Sequence, residues 1–174
     1  MVSYSDGVYS QTDRENSTGI PYFLLTKMDE SARDLASDAT ASFTISEKSA
    51  DIDGRCGAID AQEPTCAKIT LMGRVVPLRN REEQELAKLA LFSKHPAMER
   101  WPMNHGFFLY KMEIHEIFFL NDYGGASPIK VQKYLSAKLS SDEQDSDDDE
   151  NGLIQVNREQ FTAESRRRRR ILRA

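Results

Sequence analysis

Asn80-Arg81-Glu82-Glu83-Gln84-Glu85-Leu86-Ala87-Lys88-Leu89-Ala90-Leu91-Phe92-Ser93-Lys94-His95-Pro96, and the run Phe107 to Asn121 that follows the Trp101-Pro102 pair, decide how the chain folds. Asn80 is a helix-capping residue, and Glu83 stands three places on, where a capping-box partner belongs. Leu86 with Ala90 and Ala87 with Leu91 form i,i+4 pairs on one face, with Gln84 and Lys88 opposite, which predicts an amphipathic helix. Lys94 and His95 suit its negative end and Pro96 stops it. Past the hinge Pro96 to Pro102, the run Phe107 to Asn121 is rich in aromatic and branched residues and reads as strand. Phe108, Tyr110, Met112, Ile114, Phe118 and Leu120 fall on one face; Lys111, Glu113 and His115 fall on the other. The broken alternation at Glu116 predicts a bend, a bulge or two strands in one run. Gly124 and Gly125 end it.

Outward from there, Ala67 to Leu78 alternates, with Ile69, Leu71 and Val75 inward and Lys68, Thr70 and Arg74 outward. Gly73 marks a bend or a close backbone approach. Ala39 to Ser46 alternates cleanly and reads as a half-buried antiparallel strand. Ile20 to Lys27 is a strand, and Asp29 caps a short helix through Leu35. A short helix from Pro128 to Tyr134 closes the pattern. Strands and helices in this order predict a mainly antiparallel barrel with helices packed outside, not a doubly wound sheet.

The 174 residues are 39% hydrophobic and 29% charged with a net charge of −5, the composition of a soluble globular protein with no electrostatic preference for nucleic acid. No run approaches the roughly 18 to 20 apolar residues that span a bilayer, and the first six residues lack the features of a signal peptide. Cys56 and Cys66 flank part of the long loop Glu47 to Thr65. In an oxidising compartment they close it, worth about 2 to 3 kcal/mol; in a reducing one they are free thiols. Asn16-Ser17-Thr18 is an acceptor triplet for N-linked glycan or simply part of a solvated loop.

Gly19-Ile20-Pro21-Tyr22-Phe23-Leu24-Leu25, Thr65-Cys66-Ala67-Lys68-Ile69-Thr70-Leu71-Met72-Gly73, Ala90-Leu91-Phe92-Ser93-Lys94-His95-Pro96-Ala97-Met98-Glu99-Arg100-Trp101-Pro102 and Tyr123-Gly124-Gly125 together resemble the CREG family. The resemblance implies an α+β, mainly β fold, the antiparallel FMN-binding-type split β-barrel of the pyridoxamine-phosphate oxidases with flanking helices. It covers roughly residues 5 to 135 and divides the chain into a barrel domain, 1–135, and a charged tail, 136–174. The family carries a leader, an N-terminal helix and first barrel strands ahead of the point where Met1 stands, so the start reads as truncated or alternative. The resemblance further implies a secreted or endolysosomal glycoprotein that forms homodimers, works by protein binding in growth and differentiation control, and holds no flavin.

In the tail, Asp142 to Glu150 is almost wholly acidic and Arg166 to Arg170 is an unbroken basic run. Such blocks bury too little apolar surface to offset their ordering entropy. Ser140, Ser141 and Ser146 precede acidic residues as acidophilic kinases prefer. The arginines suit nuclear import, a nucleic-acid contact, proteolytic processing or pairing with the acidic block.

Candidate chemistry is sparse. His95, His105 and His115 recur at ten-residue spacing, yet no carboxylate partner accompanies them, so no metal site is expected. No nucleophile elbow, phosphate loop or dinucleotide fingerprint is present. Trp101, Phe107 and Phe108 suit a dimer interface or core, or else a flavin-stacking wall. Arg74, Lys68 and Lys111 are the cations available to pin a flavin phosphate. Three functions compete: a non-enzymatic binding glycoprotein, an FMN-dependent oxidoreductase, and a nuclear interaction protein resting on Arg166 to Arg170.

Overall fold

The computed structural model describes residues 2–9, 17–50, 56–57 and 59–137. Asn16, the acidic and arginine blocks and Ser140, Ser141 and Ser146 lie outside them. Along the chain come β1 (Tyr4–Ser5), β2 (Tyr22–Thr26), α1 (Glu30–Ser37), β3 (Thr40–Ser46), β4 (Lys68–Pro77), α2 (Arg81–Lys94), β5 (Phe107–Leu120), β6 (Ser127–Pro128) and α3 (Val131–Leu135). Short 3-10 turns occupy Glu47–Ala50, Pro96–Arg100 and Met103–His105. The sheet runs β1-β2-β5-β4-β3, with β6 on β5. The fold is mainly β and antiparallel with few helices, as the element order predicts.

The described residues fall into two compact units, one comprising 2–9, 17–43, 70–117 and 128–137, the other 44–50, 56–57, 59–69 and 118–127. In the first, β1 pairs antiparallel with β2, and β2 with β5, Tyr22 facing Lys111 and Thr26 facing Phe107. Leu78 N–H donates to the Leu109 carbonyl, tying the end of β4 to β5. Tyr4 and Phe43, on the two outermost strands of the sheet order, stack edge to face at 4.9 Å, and Phe23 meets Phe43 at 5.3 Å. Their contact requires the sheet to curl, as twisted antiparallel sheets do. Gly73 permits the closest approach of β4 and β5, since a Cβ there would lie 2.0 Å from the Glu113 carbonyl oxygen.

Helix α2 begins as its sequence predicts, with Asn80 Oδ1 accepting from Glu83 N–H at 3.0 Å. Its seating is different. Leu86 and Leu89 are 57% and 58% exposed, whereas Ala87, Ala90 and Leu91 are buried against Tyr22, Leu78, Met98 and Leu109. Two polar anchors set this rotation: Gln84 Nε2 donates to the Leu78 carbonyl at 2.8 Å, and the Glu83 carboxylate binds Lys111 Nζ at 2.9 and 3.1 Å instead of returning to its own cap. The small alanines then face the sheet, where they allow close packing.

Other expectations are corrected in detail. The Asp29 carboxylate turns back to the Thr26 N–H and does not cap α1, which extends to Ser37. Strand β5 is one unbroken 14-residue strand through Glu116. Its buried residues, Leu109, Met112, Ile117 and Phe119, come from both faces, while Phe108 is 47% exposed. A central strand flanked by β2 and β4 can be covered on both sides, which blurs a two-residue alternation.

In the second unit, Cys56 and Cys66 are disulfide-bonded and almost fully buried. Glu47 N–H donates to the Ala67 carbonyl and Ala67 N–H to Glu47 Oε2. Tyr123 hydroxyl donates to Glu63 at 3.4 Å, and Gly124 and Gly125, both at positive φ, make the turn that follows.

Candidate functional site

An apolar face forms where β2 ends beside the start of β5. Pro96 opens a 3-10 turn whose Met98 is buried in the α2 core, and Trp101 N–H closes the turn on the Met98 carbonyl at 3.1 Å. Gly106, at φ +65, redirects the chain into β5, a backbone state that L side chains resist. Thr26 Oγ1 donates to the His105 carbonyl at 2.5 Å, fixing the hinge to β2. Trp101 and Phe107 then meet at 5.3 Å with 33° between their planes, and His105 stacks on Phe107 at 6.3 Å. On the other side of the strand, Lys27 Nζ lies 5.8 Å from the centre of the Phe108 ring.

These rings are not core. Trp101 is 37% exposed and Phe108 47%, while Phe107 is half-buried. Interior packing is therefore excluded for Trp101 and Phe108. Trp101 and Phe107 form an aromatic pair on one side of β5, of a residue type enriched in contact patches between proteins, and Phe108 lies on the other side beside Lys27.

A second feature of the same unit is a groove of about 630 Å³, lined by the end of α1, the end of β4, the first turn of α2 and part of β5. Arg74, Arg79, Asn80, Glu83, Lys111 and Glu113 supply its polar groups. Its charges largely cancel: Glu83 holds Lys111, and Arg74 helps to keep the Asp38 carboxyl below its usual range, behind the larger effect of hydrogen bonds from Thr40. Trp101, Phe107 and Phe108 take no part in the groove.

The cations expected to pin a flavin phosphate do not converge with the aromatic rings. The groove that contains Arg74 and Lys111 has no aromatic wall, Lys111 is already committed to Glu83, and Lys68 Nζ, in the other unit, donates to the Glu63 carbonyl at 2.9 Å. The histidines also go separate ways. His95 Nε2 donates to the Tyr4 carbonyl at 3.0 Å, not to the hinge; His105 stacks on Phe107; His115 is exposed. Among the described residues no three His, Cys, Asp or Glu side chains are grouped to hold a metal, and no helix is long and apolar enough to cross a membrane.

The N-terminal segment is held by contacts that sequence reading missed. Ser93 Oγ accepts from Tyr9 N–H, Lys94 Nζ sits 3.9 Å above the Tyr4 ring, and His95 reaches the Tyr4 carbonyl. Burial lowers the Lys94 pKa, and it raises that of Tyr4 with help from Asp6. Tyr134 donates to the Gly19 carbonyl at 2.9 Å. Its phenol is pushed up to about 12, chiefly by burial and then by the charges of Asp6 and Tyr4. These ties join residues far apart in sequence and carry no local motif; only Gly19, at φ +72 under the Tyr134 ring, left a trace as a glycine.

Comparison with known proteins accords with this architecture. The family model described as CREG, beta-barrel matches residues 1–136. Protein CREG2 of Mus musculus is 39% identical over 122 residues, 70% of this chain and 42% of that protein. Protein CREG1 of Gallus gallus is 37% identical over 138 residues, 79% of this chain and 69% of that protein. The chain thus spans less than half the length of the CREG2 proteins it matches. Among solved structures, a heme binding protein from Mycobacterium smegmatis shares the fold with a TM-score of 0.59 at 19% identity, over 79% of this chain and 48% of the other. The chain belongs to the CREG β-barrel family.

Proposed function

We propose that the chain is a non-enzymatic binding module that acts as a homodimer, using the face of Trp101 and Phe107 as its contact. The observation that carries this reading is the exposed Trp101 ring held against half-buried Phe107, on a surface stiffened by the Thr26 to His105 hydrogen bond. Rigid aromatic side chains lose little conformational entropy on binding and dominate the energetics of interfaces. Membership of the CREG family supports placing the protein in the secretory or endolysosomal route as a glycoprotein, with a protein partner in growth and differentiation control.

Light scattering combined with absorption spectroscopy tests the reading. A colourless protein with twice the chain mass, unchanged by added FMN, is expected. A monomer, or a yellow protein that takes up FMN, overturns it, the second result favouring the oxidoreductase.

A further inference from the structure

Lys48 spends all three of its ammonium protons on one short stretch of backbone. Its Nζ donates to the carbonyls of Cys56 at 3.1 Å, Gly57 at 3.0 Å and Ile59 at 3.2 Å. An ammonium has three donors, so this cradle satisfies it completely. The adjacent Glu47 works on the same bond from the other side: its Oε2 lies 3.4 Å from Cys56 Sγ and accepts from Ala67 N–H, next to Cys66. Ser46 Oγ lies 3.8 Å from Cys66 Sγ. Three consecutive residues, Ser46, Glu47 and Lys48, thereby hold both halves of a disulfide whose cysteines are 1% and 0% exposed.

We propose that Lys48 is a clamp controlling access of reductants to the Cys56–Cys66 disulfide, so that the rate at which this pair is reduced depends on the integrity of the lysine cradle. Reduction by a dithiol proceeds by attack of its thiolate on one sulfur, which forms a mixed disulfide and releases the other cysteine. The second thiol of the reagent then closes to a cyclic disulfide, and two electrons and two protons end on Cys56 and Cys66. The first step requires the attacking sulfur to reach a buried atom, so the local opening of this region governs the rate. Charged hydrogen bonds to the Cys56, Gly57 and Ile59 carbonyls oppose that opening. The nearby carboxylate of Glu47 disfavours a thiolate at Cys56, which adds to the protection. Once reduced, the Cys56 thiol finds an acceptor already in place at Glu47.

The test measures thiol appearance in the folded protein under dithiothreitol, by alkylation and mass, for wild type, Lys48→Met, Lys48→Arg and Lys68→Met. Lys68 is the control, because it donates to Glu63 and not to the cradle. Lys48→Met is expected to accelerate reduction about tenfold, the effect of losing charged hydrogen bonds at a partly exposed site. Lys48→Arg and Lys68→Met are expected to stay near the wild-type rate. Urea unfolding of each variant separates local from global effects. An acceleration no larger than the loss of global stability accounts for, an equal acceleration in Lys68→Met, or no acceleration in Lys48→Met overturns the proposal.

Discussion

Gly73 and Glu113 touch backbone to backbone: a Cβ on Gly73 would stand 2.0 Å from the Glu113 carbonyl oxygen, 3.0 Å from its carbonyl carbon and 3.1 Å from the His115 nitrogen. Neither β4 nor β5 can yield, because these atoms belong to the two strands themselves. Gly73→Ala is therefore expected to cost about 3 kcal/mol through overpacking. Gly106→Ala, where nothing lies within 4 Å and only the positive φ resists, should cost about 1 kcal/mol. Urea denaturation of both variants checks the order; equal losses would contradict the close approach.

The ion pair of Glu83 and Lys111 joins the first turn of α2 to β5, with both side chains somewhat under one-third exposed. Removing either partner should cost about 1 kcal/mol, more than a surface pair and less than a fully buried one. Glu83→Gln with Lys111→Met should cost less than the sum of the single changes, because no unpaired charge remains. A double-mutant cycle on chemical stability reads this coupling, and strict additivity would show the pair to be inert.

Tyr134 gives the fold an alkaline limit. Its phenol ionises at about 12 in the folded chain, against 10.0 for an ordinary tyrosine, so the folded state retains a proton that the unfolded state releases. That contribution to stability is fully present below pH 10 and is lost as pH rises toward 12. Tyr134→Phe should flatten the decline over this window while losing the hydrogen bond to Gly19. Spectroscopic titration of phenolate absorption, beside stability measured across the same range, checks both statements.

Lys94 above the Tyr4 ring, with Ser93 and His95 on the neighbouring backbone, fastens the N-terminal segment to the end of α2. Lys94→Met should cost about 0.5 to 1 kcal/mol, the range of a partly exposed cation–π contact. It should also speed amide exchange at Tyr4 and Tyr9 more than in α2. Uniform acceleration would show that the segment has no local dependence on Lys94.

Much of the architecture was legible because it is local. Asn80 announces α2, the alternation of Ala39 to Ser46 announces β3, and Gly73 marks a bend or a close approach in β4, of which the structure shows the second. What the sequence hid depends on contacts between distant residues. The rotation of α2, which turns Leu86 and Leu89 to solvent, is set by Gln84 on Leu78 and Glu83 on Lys111, and no helical period carries that information. Strand β5 misled because it is buried from both sides, so Phe108 reads as core although it is exposed. Trp101 and the phenylalanines were legible as a group, but not the side of the fold they face. The groove beside Arg74 and Arg79 has no motif at all, since α1, α2, β4 and β5 all contribute to it.

Trp101 is the only tryptophan in the chain, and it stands in the proposed contact, which makes its fluorescence the most direct test of the central claim. Diluting the protein should shift Trp101 emission to longer wavelength as the dimer separates and the ring meets water. Phe107→Glu should show the separated spectrum at every concentration while keeping the far-UV circular dichroism of the wild type, and Phe108→Glu, on the other side of β5, should respond to dilution as the wild type does. An emission maximum that ignores dilution would contradict an interface at this face.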